Sequence, residues 1–296
     1  MPSTRRFGLG WVKTFVVLTA MVIALFPVFW LVSTAFKPYN EWQAWPPVWV
    51  SRQPTLQNYR IVFFPELAQK FAANEKGNLS YKVSGSAWKA FADSAIISGF
   101  ATFFSVVFGT LAAYSIVRFG IGGTTYPFQF LTVRMFPPIA VVVPMVVLFS
   151  ALRLSDTLTG LILAYTAFTL PFSIWMIRSF IEETPEELEG VAMVHGMGRL
   201  QVFLTITLPL VRGGILATAL FIFILNWSEF LFALTLGGSK VVTVTVQVAN
   251  YVSASSGKLY GVQAAMGTIS TIPVLLLGYL IQRHLVRGLT FGAVKR

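Results

Sequence analysis

The chain has 296 residues, 55% hydrophobic and 11% charged, with a mean hydropathy of +0.72, so lipid rather than water must cover much of its outside. Its formal charge of +11 comes from basic residues scattered between apolar runs, which excludes the concentrated basic face of a nucleic-acid binder. With no cysteine there is no disulfide framework, thiolate metal site or cysteine nucleophile.

About 20 apolar residues cross the hydrocarbon as a helix, and six runs meet that length: 11–35, 92–117, 127–152, 157–180, 213–236 and 263–285. They lack the alternating pattern of barrel strands, so the fold expected is all-α, a six-helix integral membrane bundle. Arg5, Arg6 and Lys13 precede the apolar stretch from Phe15 to Val32 in the manner of a signal peptide. That stretch is long for one and no small-residue cleavage site follows it, so it is expected to remain as the first span. Residues 36–91, rich in Pro, Lys, Asn, Gly and Trp, read as a small external cap, with Trp42, Trp45, Trp49 and Trp88 as interface anchors or contacts to an external partner. Asp93 reads as the cap of the second span. Pro27, Pro137, Pro138, Pro144 and Pro171 fall inside spans, where kinks are expected.

Orientation follows from the short loops. With the N-terminus inside, Arg5, Arg6, Lys13, Arg118, Arg178, Arg199, Arg212, Arg283, Arg287, Lys295 and Arg296 are cytoplasmic, against Arg153, Lys240 and Lys258 in the short outer loops. The imbalance puts both termini in the cytoplasm of a multi-pass inner-membrane protein.

The cytoplasmic loop 181–212 carries the densest local signals. Thr184, Pro185 and Glu187 compose a capping box with proline at the first helical position, and Glu182, Glu183 and Glu186 suit the positive end of that helix. Gly196 suits a left-handed stop, and a second helix from about Arg199 to Thr207 is expected to end at Pro209. Leu188, Val191, Ala192 and His195 share one face, which the bilayer or a protein groove must cover. Five glutamates beside an anionic membrane surface favour the groove.

Within the spans, Arg134 and Glu229 are the deepest charges and Asn226 lies one turn before Glu229. Such residues face a bundle interior or a water-filled path, so the three either line a translocation pathway or, as an Arg134–Glu229 ion pair, fasten helices. His195 and His284 are far apart and offer no metal-ligand spacing. The sequence holds no Gly-rich phosphate loop and no hydrolase or metalloprotease motif, so catalysis is not expected and any ATP would be bound elsewhere.

The run Pro185, Glu186, Glu187, Leu188, Glu189, then Ala192, Gly196, Phe203, Ile206 and Leu208-Pro209-Leu210 resembles the EAA loop of bacterial ABC importer permeases. Gly190-Val191-Ala192 stands where that family usually has Glu-Ala-Ala, and His195-Gly196 where it has Asp-Gly. Pro138 with Pro144 to Phe149, Leu154 to Thr157, Leu170-Pro171-Phe172 with Arg178, and Asn226 to Phe230 resemble spans three to five of the carbohydrate-uptake subfamily. The end, Gly288 to Arg296, is similar to the tail of the maltose-transporter permease that reaches into the ATPase dimer.

The resemblance implies a coupling helix at 184–196 contacting the ATPase through Glu187, Glu189, Ala192, His195 and Gly196. It implies tail contacts from Gly288, Leu289, Thr290, Gly292 and Lys295, and a 237–262 loop that enters the binding protein. The implied partners are a second homologous permease, two ATPase subunits that hold the ATP and magnesium, an external solute-binding protein and a sugar or polyol substrate. The chain itself binds no cofactor on this reading. The rivals are a secondary transporter or channel driven by an ion gradient, for which Glu229 is the sole coupling carboxylate, and a non-transporting scaffold.

Overall fold

A computed structural model describes residues 5–67, 85–123, 132, 137–253 and 257–290, with backbone alone at 5–10, 12, 253, 257 and 281–290. Helices α1 (Arg5–Ala35), α2 (Gln57–Phe63), α3 (Ala87–Phe119), α4 (Pro138–Ala151), α5 (Leu158–Glu182), α6 (Glu186–Val194), α7 (Arg199–Val202), α8 (Leu208–Trp227), α9 (Leu231–Leu236), α10 (Val244–Asn250) and α11 (Tyr260–Thr290) follow in order. A two-residue antiparallel pair, Val252–Ser253 with Gly257–Lys258, joins the last two. Among the described residues, five helical stretches are long and apolar enough to cross a membrane: Lys13–Ala35, Ala87–Phe119, Leu158–Glu182, Arg199–Trp227 and Tyr260–Leu280. Of the third expected span, 127–152, residues 127–131 and 133–136 lie outside the described residues, and the described part contains α4, 14 residues and about 21 Å long at 1.5 Å per residue. Pro137 and Pro138 form its start rather than its interior, because proline needs no backbone donor in a first turn.

The chain divides into two compact units, residues 1–87 with 248–271 and residues 88–247 with 272–296. In the first, α1 leaves Phe15, Val22, Ile23 and Val28 more than half exposed, a surface suited to lipid or to another subunit. Its C-terminal end is held by Asn58 of α2, whose amide donates to the Ala35 and Lys37 carbonyls at 2.9 and 2.8 Å. Trp42 donates to the Lys37 carbonyl at 2.9 Å, while Trp49 packs edge-on against Trp30. Of the expected anchors, Trp42 is thus drawn inward and Trp45 is 91% exposed.

The second unit packs α3, α4, α5, α8 and α9 around two apolar clusters. Ile97, Val142, Phe149, Leu161, Tyr165, Phe232 and Val246 form one, and Ala113, Tyr114, Ile177, Ile181, Phe203 and Val211 the other. Helix approach is set by small residues, as expected where lipid supplies no hydrophobic drive between helices. A Cβ on Gly109 would sit 2.3 Å from the Ser173 hydroxyl, and one on Gly214 2.2 Å from the Phe180 ring. Asp93 lies well inside α3, not at its start. It pairs with Lys89 at 2.6 Å and accepts the Val242 N–H at 3.0 Å, and Ser94 accepts the Val244 N–H at 2.8 Å. Asp93 is therefore a tie between α3 and the segment entering α10 rather than a cap.

The fifth span departs most from expectation. Pro209 does not stop a surface helix: a π-helical segment, Phe203–Thr207, joins α7 to α8 and the stretch continues from Arg199 to Trp227. The Leu208 N–H reaches back to the Phe203 carbonyl, and a wider turn of this kind accommodates a proline that would otherwise remove a bond and crowd the preceding carbonyl. The span then breaks at Ser228–Phe230 before α9, so the expected run 213–236 is two helices.

Candidate functional site

Helix α6 begins at Glu186 with Pro185 before it, and the expected capping box does not form. Thr184 instead donates its hydroxyl to the Phe180 carbonyl at 3.1 Å, the backward bond a threonine makes when it extends a preceding helix. The stop is as expected. Gly196 takes φ +88°, its N–H donates to the Met193 carbonyl at 3.0 Å, and the Met197 N–H to the Ala192 carbonyl at 3.2 Å. This is the Schellman arrangement, open to glycine without the cost a Cβ brings in the left-handed region.

The inner face of α6 is gripped by one carboxylate. Glu189, 3% exposed, accepts from Arg118 Nε at 2.8 Å, Thr207 Oγ1 at 2.9 Å and Tyr114 Oη at 3.1 Å. Arg118 Nη2 also donates to the Thr184 and Ile181 carbonyls at 2.9 and 3.4 Å, satisfying orphan acceptors where α5 ends. Tyr114 packs on Phe203 with ring centroids 4.6 Å apart, so both ends of the π segment face this cluster. A buried ion pair holds only when its remaining donors and acceptors are matched, and here the ends of α3 and α5, α6 and the π segment supply the matches.

The outer face is bare. Leu188 is 47% exposed, Val191 58% and Val194 86%, while Ala192 is buried with Glu189. The face expected from helical spacing is thus divided between inside and outside. Glu187 and His195 are exposed, and His195 Nδ1 lies 2.8 Å from its own Val191 carbonyl. Beside Leu188 a groove of about 480 Å³ is lined by Thr205, Ile206, Pro209, Leu210 and Arg212.

The polar residues of the spans are placed as follows. Asn226 is buried and donates to Thr102 Oγ1 at 3.2 Å. Glu229 turns its carboxylate onto the first turn of α9, accepting from the N–H groups of Leu231, Phe232 and Ala233 at 3.0–3.3 Å. Arg134, Gly292 and Lys295 lie outside the described residues, and Gly288, Leu289 and Thr290 continue the backbone of α11. Glu229 therefore serves as a helix cap among the described residues.

Sequence reasoning missed a second clamp. Asp156, at φ +55°, accepts the N–H groups of Ser239, Lys240 and Val241 at 2.9–3.1 Å. Thr157 beside it caps α5 by accepting the Gly160 N–H at 3.0 Å. Burial works against the Asp156 charge, but the Lys240, Val241 and Ser239 donors outweigh it and hold the carboxyl below its ordinary range. A depressed carboxyl stabilises the fold fully above its unfolded value, about 3.9, and loses that contribution as pH falls through the lower folded value. Loop 237–241 is expected to resist proteolysis from neutral pH down to about pH 4 and to become cleavable below it, whereas Asp156→Ala opens it throughout. A variant as resistant as the parent at pH 7 counts against the clamp.

Helices of membrane length, one of them broken at Ser228–Phe230, and a short surface helix gripped by the ends of two of them define a polytopic membrane protein. The structure superposes on a chain from the crystal structure of a bacterial ABC transporter involved in the import of the acidic polysaccharide alginate, with TM-score 0.73, 18% identity and coverage of 96% and 98% of the two chains. At that identity the likeness concerns the fold. Residues 105–291 match the binding-protein-dependent transport system inner membrane component family. The chain is 33% identical to the probable ABC transporter permease protein y4oR of Sinorhizobium fredii, over 92% of this chain and 91% of that one. It is 32% identical to the trehalose transport system permease protein SugB of Mycobacterium tuberculosis (94% and 96%) and to the trehalose/maltose transport system permease protein MalG of Thermococcus litoralis (93% and 92%). The chain belongs to this family of ABC transporter permeases and is a multi-pass inner-membrane component.

Proposed function

We propose that the chain is one permease subunit of an ATP-driven, binding-protein-dependent importer of a sugar or related polyol, with six spans and both termini in the cytoplasm. It pairs with a second homologous permease, sits on two ATPase subunits that bind the ATP and magnesium, and receives substrate from an external solute-binding protein. The chain performs no catalysis and needs no cofactor of its own. Relatives named for trehalose, trehalose/maltose and diacetylchitobiose transport support the substrate class.

The observation that carries the coupling role is the two-faced α6. Its inner face is fixed to the ends of two spans through Glu189 and Arg118, while Leu188, Val191 and Val194 stand uncovered outside. A push on that outer face moves the spans with it. In this reading Glu187, His195 and Gly196 meet the ATPase, Ala192 and Glu189 transmit from within, and the tail from Gly288 through Leu289, Thr290, Gly292 and Lys295 reaches the ATPase dimer. Arg134, Asn226 and Glu229 belong to the translocation pathway, with Asn226 and Glu229 shaping it through the contacts above. Alternating access follows: closure of the motor displaces α6 and opens the spans outward.

The test is uptake of labelled sugars and polyols by cells carrying all the transporter's subunits, with and without Gly196→Pro. Proline fixes φ near −65°, so it cannot hold the +88° turn. Uptake is expected to be lost while the complex assembles and the binding protein docks. Unchanged uptake would make the loop a mere anchor and revive the ion-gradient transporter.

A further inference from the structure

Within the first unit, a cleft of about 460 Å³ is lined by Trp30 and Thr34 of α1, Trp42 and Gln43 after it, and Tyr260 and Gln263 of α11. That volume falls within the roughly 300–1,000 Å³ of small-molecule sites, which combine apolar walls with a few placed polar groups. Leu31, Val248, Ala264 and Gly267 complete its walls on the apolar side. Three aromatic rings offer flat apolar faces, and two amides and a hydroxyl offer both donors and acceptors.

Behind the cleft lies an unusual cation. Lys37 is 1% exposed, with Nζ 3.8 Å from the centroid of the Trp30 ring and 3.5 Å from Thr34 Oγ1. An ammonium has three donors, and among the described residues its hydrogen bonding is this one long contact. Both groups it touches line the cleft. The Lys37 carbonyl is engaged by Trp42 and Asn58, so the backbone that carries this ammonium is fixed.

A ligand for these walls needs a flat apolar face to lie on tryptophan or tyrosine and a rim of hydroxyls to exchange hydrogen bonds with the Gln43 and Gln263 amides and Thr34. A pyranose ring has both, its axial C–H bonds forming the face and its hydroxyls the rim. An acyl chain would give the Gln43 amide no partner once water is expelled, which costs free energy, whereas Gln263 already donates to the Val248 carbonyl at 3.3 Å and Thr34 accepts from Lys37. We propose that this cleft is a saccharide subsite carried by the permease itself, holding one sugar unit against Trp30, Trp42 and Tyr260. The proposal rests on the carbohydrate reading above and adds to it where on this chain the sugar is held.

The chain has no cysteine, so a single introduced thiol reports on the cleft. In the assembled transporter, Gln43→Cys is reacted with a membrane-impermeant maleimide, with and without trehalose or maltose, and uptake of the same sugars is measured in parallel. Labelling is expected to slow about fivefold when sugar reaches about four times its Kd, from the factor 1 + [L]/Kd. Adding Tyr260→Ala should abolish the protection, and Arg52→Cys, exposed outside the cleft, should label equally fast in all cases. Labelling of Gln43→Cys unaffected by sugar, in a complex that imports that sugar, overturns the subsite and leaves the functional reading intact. Failure of Gln43→Cys to label at all shows that a neighbouring subunit fills the cleft and overturns it too. No uptake by the parent transporter of any member of a panel of labelled sugars and polyols, with no protection of Gln43→Cys by any of them, overturns the carbohydrate reading and the subsite with it.

Discussion

Glu189→Ala is expected to destabilise the permease by about 3–5 kcal/mol, the cost of leaving one member of a buried pair without its partner. Arg118, whose side chain is 8% exposed, would keep its Ile181 and Thr184 carbonyls but lose its counter-charge, and Thr207 and Tyr114 would each lose an acceptor. Thermal unfolding of the solubilised complex, followed beside uptake, measures the effect. Glu189→Gln keeps the shape and one acceptor oxygen and should fall between. The double change Arg118→Met with Glu189→Leu should cost less than Glu189→Ala alone, because no charge is then left buried. If that pair restores stability but not uptake, the cluster transmits motion as well as holding the fold. Glu189→Ala as stable as the parent would mean that water or another subunit replaces the contact, and the grip on α6 would have to be abandoned.

At Glu229 the two substitutions should separate a cap from a coupling carboxylate. Glu229→Ala removes the acceptor for three N–H groups at the start of α9, where Phe232 and Ala233 are 2% and 4% exposed. Leaving such donors unmatched costs about 1–3 kcal/mol each, so α9 should loosen and uptake should collapse. Glu229→Gln retains an amide oxygen, and most of the uptake should survive. A carboxylate that couples an ion gradient would show the opposite dependence on charge, with the glutamine variant assembled normally and inactive. Uptake by both variants compared with their assembly on a sizing column decides between the two, and an inactive glutamine variant would favour the gradient-driven rival.

The membrane nature of the chain, its helical class and the place of its surface helix were legible because each depends on local composition. Apolar runs of span length, the glutamates before α6 and the glycine after it act over one or two turns, and the left-handed Gly196 appears where the sequence puts it. Thr184 failed as a cap for a reason outside its own tetrapeptide: α5 continued through Glu182 and drew the hydroxyl backward. Pro209 failed as a stop because the π segment absorbed it. Asp93 marked no helix start because α3 began earlier, at Ala87.

What the sequence determined by itself was solvent and periodicity: lipid outside, helices across, a short amphipathic helix between two spans. Tertiary structure alone decided which distant groups are partners. Arg118 and Glu189 are 71 positions apart, and Asp156 and the Lys240 backbone N–H that it accepts are 84 apart. In sequence the first of these is one more basic residue at a membrane edge, and Asp156 is a polar residue in a turn. Only packing that brings the ends of α3, α5 and α6 together removes water from Arg118 and Glu189, and removal of water is what makes each require the other.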